Sequence, residues 1–140
     1  MPTTSLETVP VIYPCLSYRD PEAAMDWLAR AFGFVKRASY PGPNGTIAHA
    51  EMSFGSGVIM LGSSKPEKGW VSPQDLPAVN QTIYVVVEDP DAHYARAKSA
   101  GAEITIELKD EDYGSRGYSA RDPEGNHWSF GTYRPGGDWK

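Results

Sequence analysis

The side chains best suited to chemistry lie in short alternating stretches of the sequence. His49 and Glu51 are two residues apart, so in a β-strand they lie on the same face. An imidazole next to a carboxylate is typical of an acid–base pair, and together with His127 they would supply three ligands for a metal ion. The alternative is that His49 and Glu51 are half-exposed polar residues on a solvated strand face. The sequence favours the solvated strand face and leaves the metal site and the acid–base pair as alternatives.

Three aromatic residues are candidates for ligand contact. Tyr13 and Tyr84 lie on the predicted first strands of two similar segments, and Trp70 lies between those segments. Aromatic side chains line binding pockets, but they also fill cores, and for Tyr13 and Tyr84 the sequence favours neither role. For Trp70 a pocket is favoured. Three other aromatic residues are assigned to the core: Trp27, Trp128 and Phe130.

Two further residues could be reactive or charged site residues. Arg116 could bind an anionic group of a ligand or a neighbouring carboxylate, and a surface ion pair is the favoured interpretation. Cys15 is predicted to face the same side as Tyr13, but no neighbour in the sequence indicates a thiol with a lowered pKa. Because Cys15 is the only cysteine, the chain forms no internal disulfide.

Residues 113–131 predict a β-hairpin. Asp122 and Pro123 followed by Gly125 favour a type I turn, and the arms on either side alternate between polar and apolar residues. Strict alternation indicates that one face is buried and that the other carries polar side chains, among them His127 and Ser129.

Two helix starts repeat 69 residues apart. Asp20-Pro21-Glu22 and Asp89-Pro90-Asp91 each combine an N-cap acid, a proline at the first helical position and an acid in the first turn. After Asp20, apolar residues form one helical stripe that ends near Gly33. The strands are predicted at residues 9–18, 34–40, 46–54, 58–61, 82–87, 103–108, 116–121 and 126–132, with Ala48, Ala50, Met52 and Phe54 on the apolar face of the third.

This order predicts an α+β fold of two tandem βαβββ modules. Each module has a helix on one sheet face, and two modules placed edge to edge would form a curved mixed sheet with a concave ligand cup. We predict a single domain over residues 1–140. Module 1 spans about 9–62, a linker or functional flap spans 63–80, module 2 spans about 81–133, and 134–140 form a tail.

Composition narrows the classes of function. The 140 residues carry a net charge of −5, which disfavours nucleic acid and anionic membranes as partners and favours a cationic small molecule. No apolar run approaches the roughly 20 residues that span a bilayer. Residues 1–9 show no signal peptide, so we expect a cytoplasmic protein.

The two Asp-Pro-acid starts and residues 122–130 resemble the vicinal oxygen chelate superfamily, which includes glyoxalase I, the bleomycin-resistance proteins and the extradiol dioxygenases. The resemblance covers about residues 9–133. Enzymes of this superfamily hold a divalent metal ion with His, Gln or Glu on the first and last strand of each module. The matching positions in this sequence are Tyr13, Met60, Thr82 and Ser129, which are poor ligands for such an ion.

The resemblance therefore implies a protein without a metal ion or other cofactor, similar to the bleomycin-resistance proteins, which are homodimers that sequester a cationic ligand. We expect a small cationic or aromatic molecule to bind in the cup. Its expected contacts are Tyr13, His49, Glu51, Met60, Trp70, Thr82, Tyr84, Arg116, His127 and Ser129. The alternatives are a lyase, isomerase or dioxygenase that uses a displaced metal ion or acid–base residues, and a ligand-sensing module.

Overall fold

The computed structural model describes residues 9–137, so the expectations about a signal peptide and the last residues of the tail lie at least partly outside it. The predicted α+β fold is confirmed, since strand, helix and three strands occur twice in succession. The first repeat contains β1 (Cys15–Tyr18), α1 (Pro21–Phe32), β2 (Val35–Pro41), β3 (Ile47–Phe54) and β4 (Gly57–Ser63). The second contains β5 (Thr82–Val86), α2 (Pro90–Ser99), β6 (Glu103–Asp110), β7 (Arg116–Arg121) and β8 (His127–Gly131).

Each repeat forms its own mixed sheet of four strands. The strand orders are β1-β4-β3-β2 and β5-β8-β7-β6, with β1 parallel to β4 and β5 parallel to β8. Among the residues described, β1 and β5 are edge strands that do not pair with each other. The cup expected from one continuous sheet is therefore replaced, within this chain, by two separate sheets that share a core.

The two helices begin as the sequence predicts. The Asp20 side chain accepts a hydrogen bond from Ala23 N at 3.1 Å, and the Asp89 side chain accepts one from Ala92 N at 3.0 Å. The helix α1 ends at Gly33, whose φ of 84° is in the left-handed region that glycine adopts without strain. The predicted stripe of α1 is buried throughout: Ala24, Trp27, Leu28, Ala31 and Phe32.

Aromatic side chains of both repeats meet in one core. Phe34, which follows α1, packs edge-on against Trp128 of β8 with ring centroids 5.4 Å apart. The rings of Phe32 and Phe130 are tilted against each other, with centroids 4.6 Å apart. The assignment of Trp27, Trp128 and Phe130 to the core is therefore correct. The two helices cover one face of each sheet. The opposite face of each sheet, here called its outer face, is left for other contacts.

Two local predictions are wrong. The first strand begins at Cys15 and not at residue 9, because Pro10 and Pro14 supply no N–H group for strand pairing. In β3, Ile47 is buried and Ala48 is exposed, although alternation predicted the reverse. The register of β2 against β3 shifts at this point, and such a bulge reverses the face of the residues beyond it.

Candidate functional site

The outer face of the first sheet carries a polar pair. The His49 imidazole donates through Nε2 to Glu51 Oε2 at 2.8 Å, and both side chains are about 40% exposed. The ring of Tyr40 stacks on His49 with centroids 6.0 Å apart. Strand pairing aligns Glu51 with Met60 and Met60 with Cys15 across the sheet. The predicted site residues His49, Glu51 and Met60 therefore share one surface, which combines an imidazole, a carboxylate and a thioether.

The outer face of the second sheet carries the other predicted histidine. His127 accepts a hydrogen bond through Nε2 from Arg121 Nε at 3.2 Å. Arg121 also forms an ion pair of 3.1 Å with Glu103. Thr82 lies opposite His127 in the parallel pair of β5 and β8. Thus His127 belongs to a row of polar residues on a different sheet from His49.

Tyr84 and Ser129 occupy the next row of that face. The Ser129 hydroxyl lies 2.7 Å from the Ser119 hydroxyl, so the two form a hydrogen bond across β7 and β8. The Tyr84 hydroxyl donates to the Tyr133 carbonyl at 2.8 Å. Partial burial is the main cause that raises the pKa of Tyr84 above its ordinary value. Tyr84 is therefore a neutral phenol at physiological pH.

A cavity of about 760 Å³ lies beside the edges of β1 and β5. Residues of both outer faces reach it, namely Cys15 and Ser17 from β1 and His127 from β8. The loop between β4 and β5 contributes Trp70 to its lining. The volume is in the range of small-molecule sites, which run from about 300 to 1,000 Å³. The other lining residues are Leu16, Gly69, Val71, Pro73, Leu76, Ala78, Val79, Asn80, Gln81, Ile83 and Asn126.

Two lysine side chains lie near the ring of Trp70. The ammonium groups of Lys65 and Lys68 lie 5.7 Å and 5.1 Å from the ring centroid, within the range of cation–π contacts. Trp70 is 52% exposed, so part of its ring remains open to solvent beside the two lysines. The segment predicted as a linker or flap therefore contributes a partly exposed tryptophan to the cavity.

Two predicted site residues take up local contacts instead. The Tyr13 hydroxyl donates to the Pro10 carbonyl at 2.7 Å. Arg116 donates to both carboxylate oxygens of Asp91, at 2.8 Å and 3.1 Å, and to Asp110 at 3.2 Å. The hydrogen bonds to Asp91 are the main cause that raises the pKa of Arg116 above its ordinary value. Arg116 therefore forms the surface ion pair that the sequence favoured.

The side chains at the superfamily's metal positions do not fit a divalent ion of the usual kind. The Tyr13 hydroxyl and the Ser129 hydroxyl each have a hydrogen-bond partner, while Met60 offers a thioether and Thr82 a neutral hydroxyl. Within residues 9–137, no three His, Cys, Asp or Glu side chains converge as a metal site. The alternative triad of His49, Glu51 and His127 is therefore not assembled in this chain.

Sequence reasoning missed several residues that shape the cavity. Leu16 and Ile83 face the core according to the alternation of their strands, yet both also line the cavity because β1 and β5 are unpaired at their outer edges. The sequence also gave no indication of two buried carboxylates, Asp122 and Glu124, which are 4% and 8% exposed. Acidic residues are common in exposed hairpin loops, so the residue types of this turn predict exposure and not burial.

Comparison with known proteins defines the class of the chain. Residues 11–130 match the family model of the glyoxalase/bleomycin resistance protein/dioxygenase superfamily. The chain therefore belongs to this superfamily, as its motifs and its two βαβββ repeats predicted.

Individual relatives agree with this assignment. The crystal structure of TioX from Micromonospora sp. ML1 is 34% identical, with a TM-score of 0.70 over 87% of this chain and 94% of that one. An uncharacterized protein of Mycobacterium tuberculosis is 33% identical over 92% of this chain and 78% of its own length. A superfamily member from Sphaerobacter thermophilus shares the fold, with 18% identity and a TM-score of 0.65 over 88% of this chain and 97% of that one.

The described residues also bear on membrane association. Between residues 9 and 137, neither helix has the length and apolar character needed to cross a bilayer.

Proposed function

We propose that this protein binds a small aromatic molecule, neutral or cationic, in the cavity beside β1 and β5 without using a metal ion. The observation that carries the proposal is the cavity itself, which brings Trp70 and His127 together with the edges of both sheets. An aromatic ligand would stack on exposed aromatic surface and cover the apolar residues of the lining.

Charge defines the expected ligand further. Among the described residues that line the cavity there is no Asp, Glu, Lys or Arg, so ring shape rather than an ion pair would orient the ligand. The net charge of −5 attracts cations and repels anions at a distance. The ammonium groups of Lys65 and Lys68 beside Trp70 act in the opposite direction at short range, so we expect neutral aromatic compounds to bind most tightly.

Three fluorescent probes test this expectation: proflavine as the cation, Nile red as the neutral compound and anilinonaphthalene sulfonate as the anion. We expect saturable, stoichiometric binding of proflavine or Nile red in titrations monitored by fluorescence. Trp70→Ala should weaken that binding about tenfold, since it removes one aromatic surface. Tyr113→Ala is the matched control, because Tyr113 is an exposed aromatic residue that packs on Tyr133 and does not line the cavity. Equal affinities of Trp70→Ala and the wild type would refute the proposed site.

A catalytic function is the second candidate, and the 2.8 Å contact between His49 and Glu51 favours it. A carboxylate that orients an imidazole is an arrangement suited to proton abstraction. Mass spectrometry of a bound compound after prolonged incubation separates the two candidates. Recovery of the unchanged compound supports binding alone, whereas conversion that Glu51→Gln abolishes would establish catalysis.

We also infer that the protein is a homodimer in solution. The outer sheet faces carry exposed apolar side chains that another copy would cover, including Tyr40 at 57% and Ile106 at 49% exposure. Sedimentation equilibrium tests the assembly, and a monomer at micromolar concentration would contradict it. A cytoplasmic location remains a prediction from the sequence.

A further inference from the structure

One buried carboxylate connects three segments of the chain. Glu124 lies in the turn between β7 and β8, and its Oε1 accepts from Arg19 N and from the Ser72 hydroxyl, each at 2.6 Å. Its Oε2 accepts from Asp20 N at 2.9 Å. The turn of the second repeat is thereby tied to the corner between β1 and α1 and to the loop between β4 and β5.

The loop is attached to this carboxylate at a residue without solvent contact. Ser72 is 0% exposed, and its N–H donates to the Ser64 hydroxyl at 3.2 Å. Nearby, the Arg19 side chain forms an exposed ion pair with Asp75, which contributes little to stability. Ser72 and Glu124 are buried, whereas water screens the exposed pair of Arg19 and Asp75, so the contact with Glu124 is the firmer attachment.

The attachment lies two residues from the aromatic ring at the cavity. Lys65 N donates to the Trp70 carbonyl at 2.6 Å and Trp70 N donates to the Lys65 carbonyl at 3.2 Å, so residues 65–70 form a closed unit. The lining residues Val71 and Pro73 flank Ser72 on both sides. Movement at Ser72 would therefore displace the wall of the cavity and Trp70 together.

We propose that Glu124 is a positioning residue that holds the Trp70-bearing loop, residues 64–76, in place through Ser72. This role rests on the proposed function, because it assigns the loop to ligand binding. The carboxylate keeps all three of its donors only while the loop is packed against the second repeat. Releasing Ser72 would leave a buried acceptor without one partner, which favours the packed arrangement.

Ser72→Ala removes the hydroxyl that reaches Glu124 but leaves the donors Arg19 N and Asp20 N, so the contact between the repeats is kept. The same hydroxyl accepts a weaker hydrogen bond from Gln74 N at 3.3 Å, which Ser72→Ala also removes and Glu124→Gln keeps. Faster loop exchange in both variants is therefore the result that identifies the contact with Glu124. Ser99→Ala, at an exposed serine at the end of α2, is the matched control. In hydrogen exchange followed by mass spectrometry, we expect roughly tenfold faster exchange in residues 64–76 of Ser72→Ala, with no change in β3 or β8.

Affinity for Nile red or proflavine is the second measurement. Ser72→Ala should weaken binding about fivefold to tenfold, and Ser99→Ala should leave it unchanged. Glu124→Gln, which replaces one acceptor oxygen by an amide donor, should speed loop exchange and also lower the melting temperature. These results together would establish the positioning role.

The outcomes separate the two proposals. If Ser72→Ala exchanges like the wild type, or if its loop exchanges faster while probe affinity is unchanged, the role of Glu124 is overturned and the binding site stands. If the wild type binds no probe, the proposed function fails, and with it the part of this inference that concerns binding. The exchange measurement alone still decides whether Glu124 holds the loop.

Discussion

The two repeats use their corresponding β-hairpins in different ways. The hairpin of the second repeat, at the turn between β7 and β8, directs Asp122 and Glu124 into the protein. There Asp122 accepts from the Tyr18 hydroxyl at 2.7 Å and from the Trp128 indole at 3.1 Å. The hairpin of the first repeat turns through Gly55 and Ser56, which are exposed.

The first hairpin meets the second repeat through an aromatic contact. The ring of Phe54, just before its turn, lies 6.0 Å from the imidazole of His93 on α2. A cavity of about 280 Å³, also lined by Val87 and Asp89, lies beside them. One contact between the repeats is therefore a buried carboxylate with its donors, whereas its counterpart is an aromatic contact beside an incompletely filled cavity. We infer that the second hairpin determines how the two repeats pack together. A buried carboxylate is stable only in the arrangement that supplies its hydrogen-bond donors.

Removing the polar contact should have the largest effect. Asp122→Ala leaves the buried Tyr18 hydroxyl and Trp128 indole without their acceptor, so we expect a loss of about 3–5 kcal/mol in the free energy of unfolding. Ser56→Ala, in the other hairpin, should change stability by less than about 0.5 kcal/mol. Urea denaturation measures both. Similar losses in the two variants would remove the distinction between the hairpins.

A change of pH tests the contact between the first hairpin and His93. His93 donates through Nε2 to the Phe32 carbonyl at 2.8 Å, and its Nδ1 lies 2.6 Å from the Tyr118 hydroxyl. Burial lowers the pKa of His93 below its ordinary value of 6.5, and Arg96 adds to this effect. The unfolded chain then binds the proton more readily than the folded chain, so stability is lost as the pH falls below about 6.5.

His93→Gln supplies the control for this prediction, because a glutamine does not titrate. The difference in unfolding free energy between the wild type and His93→Gln should shrink as the pH falls from 7 to 5. Carboxylates that titrate in the same range contribute equally to both proteins and cancel. A difference that is constant with pH would contradict the assignment.

The two helix caps should show the smallest effects. Asp20→Ala and Asp89→Ala each remove one hydrogen bond at a helix N-terminus, worth about 1 kcal/mol. The helix α1 buries seven residues and α2 only Pro90 and Ala97, so the fold should depend more on α1. We therefore expect Asp89→Ala to cause local opening of α2, detected by hydrogen exchange, before Asp20→Ala opens α1.

Much of the fold could be predicted because its signals are local. Three features depend only on residues that are close together along the chain. They are the caps at Asp20 and Asp89, the apolar stripe of α1 and the turn at Asp122. Predictions failed where distant strands decide the outcome. Ala48 lies on the face opposite to the predicted one because the pairing of β3 with β2 shifts there. The strand β1 begins at Cys15, later than predicted, where its pairing with β4 begins.

The candidate site was predicted less completely. His49 and Glu51 were expected to be neighbours because alternation places them on one strand face, and they are. His127 lies on the other sheet and bonds to Arg121, a contact between strands that strand spacing does not reveal.

By itself, the amino-acid sequence determined the element order, the duplicated helix starts and the residue types available for chemistry, since these depend on neighbours along the chain. Only the tertiary structure decided that Glu124 would meet Ser72 and Arg19, which are 52 and 105 residues away. A charged side chain is ordinarily stable in water, and Glu124 is buried only because the folded chain brings three donors to it.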